Sequence, residues 1–339
     1  MVAMRITPET LHKIAQDTVA NRSRSDHTLL AVYLQGSLLG ASSLLGNTAD
    51  IDLFFVHTDE VSEGREFVRL TDEVHLDIAH HSHRLYRQPR QLRVHPWLGP
   101  AVYGCKILYD PQHFMDFTQA SVRGEYYRSE NVLARAHQQF EHARQIWMDC
   151  SLDPHPPSPV EAVKYLRALE HAVNAVACLS GAPLTERRFL IEFPTRAKAV
   201  RHPGLEPGLL GLLGGPLVDP PTLRGWLPEW HAAYAALPAE GVPPRLHPCR
   251  RLYYERGMAT LLEGEHPLQA LWPMWRTWTD IATSLPDETV HLNAWQTAGE
   301  QLGLLGPGFN SRVDALDAYL DQIEEIQETW ARENGAQAL

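Results

Sequence analysis

Two aspartates separated by one residue, in Asp50-Ile51-Asp52-Leu53, follow the pair Gly36-Ser37 after an interval of twelve residues. Side chains alternate across an extended strand, so Asp50 and Asp52 share one face while Ile51 and Leu53 share the other. Neighbouring carboxylates repel each other and need a shared proton or a cation. Oxygen ligands of this kind suit a hard divalent ion, and magnesium is the usual choice where phosphates complete its shell. A third acid, Asp77, lies in Val74-His75-Leu76-Asp77-Ile78-Ala79, opposite the apolar Val74, Leu76 and Ile78. With the two segments side by side, three carboxylates meet on one patch. That is the arrangement of a two-metal site for in-line phosphoryl or nucleotidyl transfer, with ions about 3.5–4 Å apart. Gly36 permits close approach of backbone to a phosphate, and Ser37 with the amides after it offers donors where they open a helix.

The elements needed to hold these residues are legible around them. Thr28–Gln35 reads as a buried strand, Asp50–His57 as a second, and Arg65–Leu70 with Val74–His80 as a hairpin around Thr71-Asp72-Glu73. Thr7 before Pro8, followed by Leu11, Ile14, Ala15 and Val19, predicts a helix at the start, while Lys106–Tyr109 predicts a last short strand before Asp110-Pro111 opens a helix. Beyond about residue 124, amphipathic helical periods take over. Val160, Val163, Leu166, Leu169, Val173 and Val176 form one stripe, and Val313, Leu316, Leu320, Ile323, Ile326 and Trp330 another, entered at Asn310-Ser311 and closed near Gly335. Residues 200–250 are rich in Pro and Gly, which predicts short helices and long loops. The expected fold is α+β: a small mixed sheet with flanking helices over residues 1–120, then an all-helical bundle over 121–339.

Gly36-Ser37 at a strand end, Asp50-x-Asp52 in the next strand and Asp77 in a later one resemble the signature of the polymerase-beta-like nucleotidyltransferases. The resemblance covers roughly residues 28–110. It extends to the layout, because members acting on small molecules, such as aminoglycoside adenylyltransferases, also carry a helical domain after the catalytic one. It implies that Asp50 and Asp52 bind two magnesium ions and a nucleoside triphosphate, usually ATP. It further implies that Asp77 completes the metal site or activates the acceptor, that Gly36 and Ser37 contact phosphate, and that pyrophosphate leaves as a nucleoside monophosphate passes to a hydroxyl of a small acceptor. An aminoglycoside-type antibiotic is the best-known acceptor for this layout. Many members have Ser before the first aspartate; Ala49 here removes that hydroxyl. The acceptor's general base is Asp77 itself or a glutamate, with Glu125, Glu130, Glu161 and Glu170 all candidates. Two rival readings are an antitoxin-like or protein-modifying interaction module on the same fold, and a catalytically silent member. A third, a template-independent RNA polymerase, requires a basic groove.

Composition bears on these choices. The chain has 339 residues, 44% hydrophobic and 21% charged, which excludes disordered and collagen-like classes. Thirty basic against 41 acidic residues leave −11, a poor balance for a nucleic-acid partner and a good one for a polycationic acceptor. Cys105, Cys150, Cys178 and Cys249 are widely spaced with no CxxC, so neither a zinc ribbon nor a disulfide framework is indicated. No signal-like run opens the sequence and no stretch is long and apolar enough for a membrane span, so a cytoplasmic protein is expected. Other clusters have plainer readings. His80 and His81 must face opposite ways on a strand, with His81 sharing the parity of Asp77. Trp272, Trp275 and Trp278 read as helical core more readily than as a stacking platform. Arg187-Arg188 and Arg250-Arg251 are possible cradles for triphosphate charge and are more simply exposed helix-end pairs. Lys164, Arg167, His171 and Asn174 read as a solvated face.

Overall fold

The computed structural model describes residues 6–40, 44–61, 64–152, 157–238, 240–286 and 289–337; the first five residues of the opening segment therefore lie outside the described residues. The chain forms two compact units. One comprises residues 1–127 together with His247–Gly257; the other comprises Arg128–Leu246 and Met258–Leu339. The division thus falls after residue 127, beyond the helix that crosses position 120, and an eleven-residue piece of the later chain belongs to the first unit.

In the first unit, helix α1 (Pro8–Ser25) is capped by Thr7, whose hydroxyl accepts from the Thr10 amide, with Pro8 at its first position. Strands β1 (Leu29–Gln35), β2 (Ala49–His57), β3 (Arg65–Arg69), β4 (Val74–Ser82) and β5 (Lys106–Tyr109) make one mixed sheet in the order β3-β4-β2-β1-β5. Because β3 runs back along β4 as a hairpin, β4 returns parallel to β2, and Asp52 stands level with Asp77. One face packs on α1: Leu11, Ala15 and Val19 meet Ile51, Leu53 and Phe55 of β2 and Val74, Leu76 and Ile78 of β4. Period-two alternation sends Asp50, Asp52, His75 and Asp77 to the other face. There α2 (Pro89–Val94), α3 (Leu98–Gly104) and α4 (Phe114–Arg123) cover a second core around Tyr33, Val56, Tyr86 and Met115. The helix expected to open at Asp110-Pro111 starts instead at Phe114. Asp110 uses its carboxylate as an acceptor for the Asp116 amide, 2.9 Å away, and His113 takes a left-handed conformation before the helix.

The second unit is helical among its described residues: α5 (Ser129–Leu152), α6 (Pro159–Ala177), α7 (Phe189–Ala199), α8 (Leu205–Leu212), α9 (Pro220–Ala235), the last turns of α10 (Arg251–Glu263), α11 (Leu271–Ser284), α12 (Val290–Leu302) and α13 (Phe309–Asn334). The stripe on α6 is core from Leu166 to Val176, whereas Val160 at its first turn is exposed. On α13, Val313 to Ile326 are buried and Gly335 ends the helix with φ +68°. The Pro- and Gly-rich stretch departs from expectation, since α9 runs for 16 residues. Pro220 and Pro221 open the helix behind the Asp219 cap, where a missing N–H costs nothing, whereas Pro228 lies in its interior. Trp272, Trp275 and Trp278 are core, each 1% exposed. Among the described residues no helix is long and apolar enough to cross a membrane.

Candidate active site

The acidic face of the sheet starts from backbone geometry at the end of β1. Gly36 has φ +91° and ψ −163°, a region open essentially to glycine alone. A Cβ there would also overlap the Asp52 carboxylate, reaching 2.9 Å from its Cγ. Gly36 is therefore needed both for the turn and for the space that Asp52 occupies. Ser37 follows at the head of a three-residue 3-10 turn, Ser37–Leu39, so no full helix dipole is built there. Its side chain is half-buried. Ala49, where the family pattern has Ser, belongs to the α1-side core, 2% exposed, and so turns away from the acids.

The carboxylates come together as the alternation requires. Asp50 and Asp77 are buried, at 6% and 2% exposure, while Asp52 keeps some solvent access. Burial raises the Asp52 pKa well above the ordinary carboxylate range, and repulsion from Asp50 and Asp77 adds to it, against the opposing pull of Arg250 and Arg65. The trio thus demands positive charge. Arg65, on the edge strand β3, binds Asp77 through both oxygens, at 2.6 and 2.7 Å. Arg250 sits between the other groups, with Nη1 3.6 Å from Asp77 and Nη2 4.0 Å from Asp50.

Arg250 enters on the segment His247–Gly257. His247 stacks on Phe67 at 4.5 Å between centroids, Tyr253 meets His75 edge-on at 5.5 Å, and Arg256 pairs with Glu73 at 3.3 Å. The Arg250 side chain is only 12% exposed and lies over the rings of Tyr253 and Tyr254. The expectation of an exposed arginine pair fails here, because long-range packing converts Arg250 into part of the acidic site. Arg187 departs from expectation in the same way, at 6% exposure. Only the RR dipeptides signalled this in the sequence, and nothing local distinguished the one that returns to the sheet.

The remaining candidates resolve individually. His81 lies on the acid-bearing face, where its Nδ1 is 2.6 Å from the Tyr86 hydroxyl; burial and the nearby Arg65 push its pKa down to about 4, so it offers no charge to a phosphate near neutrality. His80 faces the other way and meets His57, as strand parity requires. Glu125 pairs with Arg93, and Glu161 lies against Ser158 and Lys164. Glu170 joins Glu186, Asp280, Arg245 and Arg276 in a charge network inside the helical unit. Glu130 is exposed. On α6, Lys164 and Arg167 are solvated, but Asn174 is buried, its side-chain oxygen accepting from the Leu184 amide at 2.7 Å. A cavity of about 300 Å³ in the helical unit, lined by Phe193, Leu210 and Val218 among others, contains none of the three aspartates.

The chemistry of the donor set fits a hard divalent ion: oxygen ligands, two from one strand, and a carboxyl whose ionisation its neighbours oppose. Among the described residues, however, no three acidic, histidine or cysteine side chains close on a single point. Arginine nitrogens stand among the carboxylates instead. No protein-family model and no curated protein matches this sequence.

Proposed function

We propose that this chain is a magnesium-dependent nucleotidyltransferase of the polymerase-beta-like type, moving a nucleoside monophosphate, AMP from ATP in the simplest case, onto a hydroxyl of a small acceptor. The observation that carries the reading is one juxtaposition: the Gly36-Ser37 turn lies against Asp52, and Asp52 stands in register with Asp77 across a parallel strand pair. In this reading Asp50 and Asp52 would hold the divalent ions, with Asp77 either completing their shell or taking the acceptor proton. Bound there, the ions would neutralise the triphosphate and the departing pyrophosphate.

The protein's own groups do the rest. Ser37 donates its hydroxyl hydrogen to a phosphate oxygen. A carboxylate takes the acceptor proton as the new oxygen–phosphorus bond forms and the bond to pyrophosphate breaks. The net charge of −11 favours a cationic acceptor of the aminoglycoside kind over a polyanion.

The catalytically silent reading draws on a specific observation, the arginines among the carboxylates. Pyrophosphate release decides between the two. With magnesium, each of ATP, GTP, CTP and UTP is tested against a panel of hydroxylated antibiotics and metabolites. At least one pair should turn over, and Asp52→Asn should abolish that turnover while thermal unfolding stays cooperative. Full turnover by the variant would overturn the reading.

A further inference from the structure

The cavity of about 300 Å³ in the helical unit plays no part in the chemistry of the acidic face. Its walls come from α7, α8, the start of α9 and the 3-10 turn Pro267–Ala270 that precedes α11. Leu190, Phe193, Leu210, Val218 and Leu268 give it an apolar lining. Its volume lies at the lower end of the range for small-molecule sites, about 300–1,000 Å³. Three further wall positions are prolines: Pro194 inside α7, Pro220 at the start of α9 and Pro267 at the head of the 3-10 turn. Their fixed φ angles stiffen the walls, so little of the cavity's shape has to be ordered when a ligand enters.

The polar groups on these walls are nearly all acceptors. Glu206 and Glu265 supply carboxylates, which accept hydrogen bonds and carry negative charge. The described lining holds no lysine or arginine, and among the described residues neither carboxylate has an ion-pair partner. Proline brings no N–H, and Pro194 also leaves the Leu190 carbonyl without the amide that helix geometry places four residues on. Of the lining side chains, only those of His266 and Gln269 can donate. Glu206 is half-buried and Glu265 exposed, so the negative charge stands where water still reaches it, while Phe193, at 0% exposure, is a dry wall.

We propose that this cavity is a second binding site, for an apolar primary amine whose body lies against Leu190, Phe193 and Leu210 and whose ammonium meets Glu206 and Glu265. Each part of such a ligand answers one part of the wall. The body removes apolar surface from water, and the ammonium offers three donors to acceptors. Because that charge stays near solvent, its desolvation costs little. A hydroxylated polycation, the acceptor class proposed for the acidic face, would place its hydroxyls against apolar side chains that cannot bond them. The inference therefore stands apart from the nucleotidyltransferase reading, and its test needs neither nucleotide nor metal.

Titration calorimetry of the full chain with 2-phenylethylamine, 2-phenylethanol and phenylacetate varies the charge at nearly constant shape. The amine should bind at millimolar concentration or below, the alcohol about tenfold more weakly and the acid not measurably. Methylamine, which keeps the charge without the body, should not bind measurably either. Glu206→Gln combined with Glu265→Gln should bring the amine down to the affinity of the alcohol and leave the alcohol unchanged. A second measurement uses the unaltered protein and does not depend on the variants folding. A water-soluble carbodiimide activates a carboxylate, and a bound amine displaces the urea to form an amide that mass spectrometry maps. Coupling of 2-phenylethylamine should favour Glu206 and Glu265 over Glu263, which is exposed and outside the cavity. An amine that binds no more tightly than the alcohol, or measurable binding of phenylacetate, overturns the charge assignment and with it the proposal. So do an unaltered amine affinity in the double variant, coupling no greater at Glu206 and Glu265 than at Glu263, and failure of the amine to bind at millimolar concentration. None of these results touches the acidic face of the sheet, so the nucleotidyltransferase reading stands or falls separately.

Discussion

At the scale of single residues, the candidate site depends on one glycine and one guanidinium fork. Gly36 adopts a backbone conformation nearly closed to other residues, and the Asp52 carboxylate fills the place of its missing side chain. Gly36→Ala should therefore cost about 1–3 kcal/mol from backbone strain alone. It should also displace Asp52, so that urea unfolding and Mn2+ affinity change together; an unaltered midpoint would show that the turn tolerates a Cβ. Arg65 holds a 2% exposed carboxylate from a side chain that is itself 43% exposed. Arg65→Ala leaves Asp77 without its bidentate partner, and after allowance for solvent screening the expected loss is about 1–2 kcal/mol. Measurement of both unfolding midpoint and slope separates that loss from a change in the unfolded chain.

At the scale of elements, half-buried imidazoles set a pH dependence. His81 on β4 and His171 on α6 are both pushed down to about 4, chiefly by burial, with cationic neighbours adding to the effect. Each is neutral in the folded protein near neutrality. Once unfolded, each titrates near 6.5. Between those values the unfolded chain holds more protons, so stability is fully present above the unfolded pKa and is lost as pH falls toward 4. Each residue should contribute about 1–3 kcal/mol to that decline. His81→Gln should flatten the thermal-unfolding profile between pH 6.5 and 4 and leave the share of His171 in place. A profile identical to the parent's would remove His81 from the account. The edge strand β3 adds a separate feature, since Arg65 and Arg69 flank its apolar centre and discourage pairing with a further strand.

At the scale of the whole molecule, the first unit is built from two separated pieces of chain. Residues 247–257 contribute the His247–Phe67 stack, the Tyr253–His75 contact, the Arg256–Glu73 pair and Arg250. Close backbone packing reinforces this at Gly46, where a Cβ would overlap the Arg256 carbonyl. A chain ending at Tyr127 should consequently be about 1–3 kcal/mol less stable than one in which residues 247–257 are tethered back by a flexible linker, as read by urea unfolding. Equal midpoints would mean that the returning segment serves charge alone. The acidic surface acts at the same scale, favouring cationic partners through a field that salt screens within about 8 Å at physiological ionic strength.

The strands, the face that each aspartate occupies and the α1-side core were all legible in the sequence, because alternation along an extended chain is a local property. Ile51 and Leu53 had to be buried if Asp50 and Asp52 were to share the opposite face, and they are fully so. The tryptophan row and the stripe on α13 were legible for the same reason, at the helical period. Tertiary structure alone decided what neutralises the acids. Arg65 reaches Asp77 through strand register, and Arg250 reaches Asp50 and Asp77 from about two hundred residues further along the chain. An arginine pair looks the same in sequence at a solvated helix end and against a buried carboxylate. The difference lies in desolvation and Coulomb energy, which arise only once distant segments pack together.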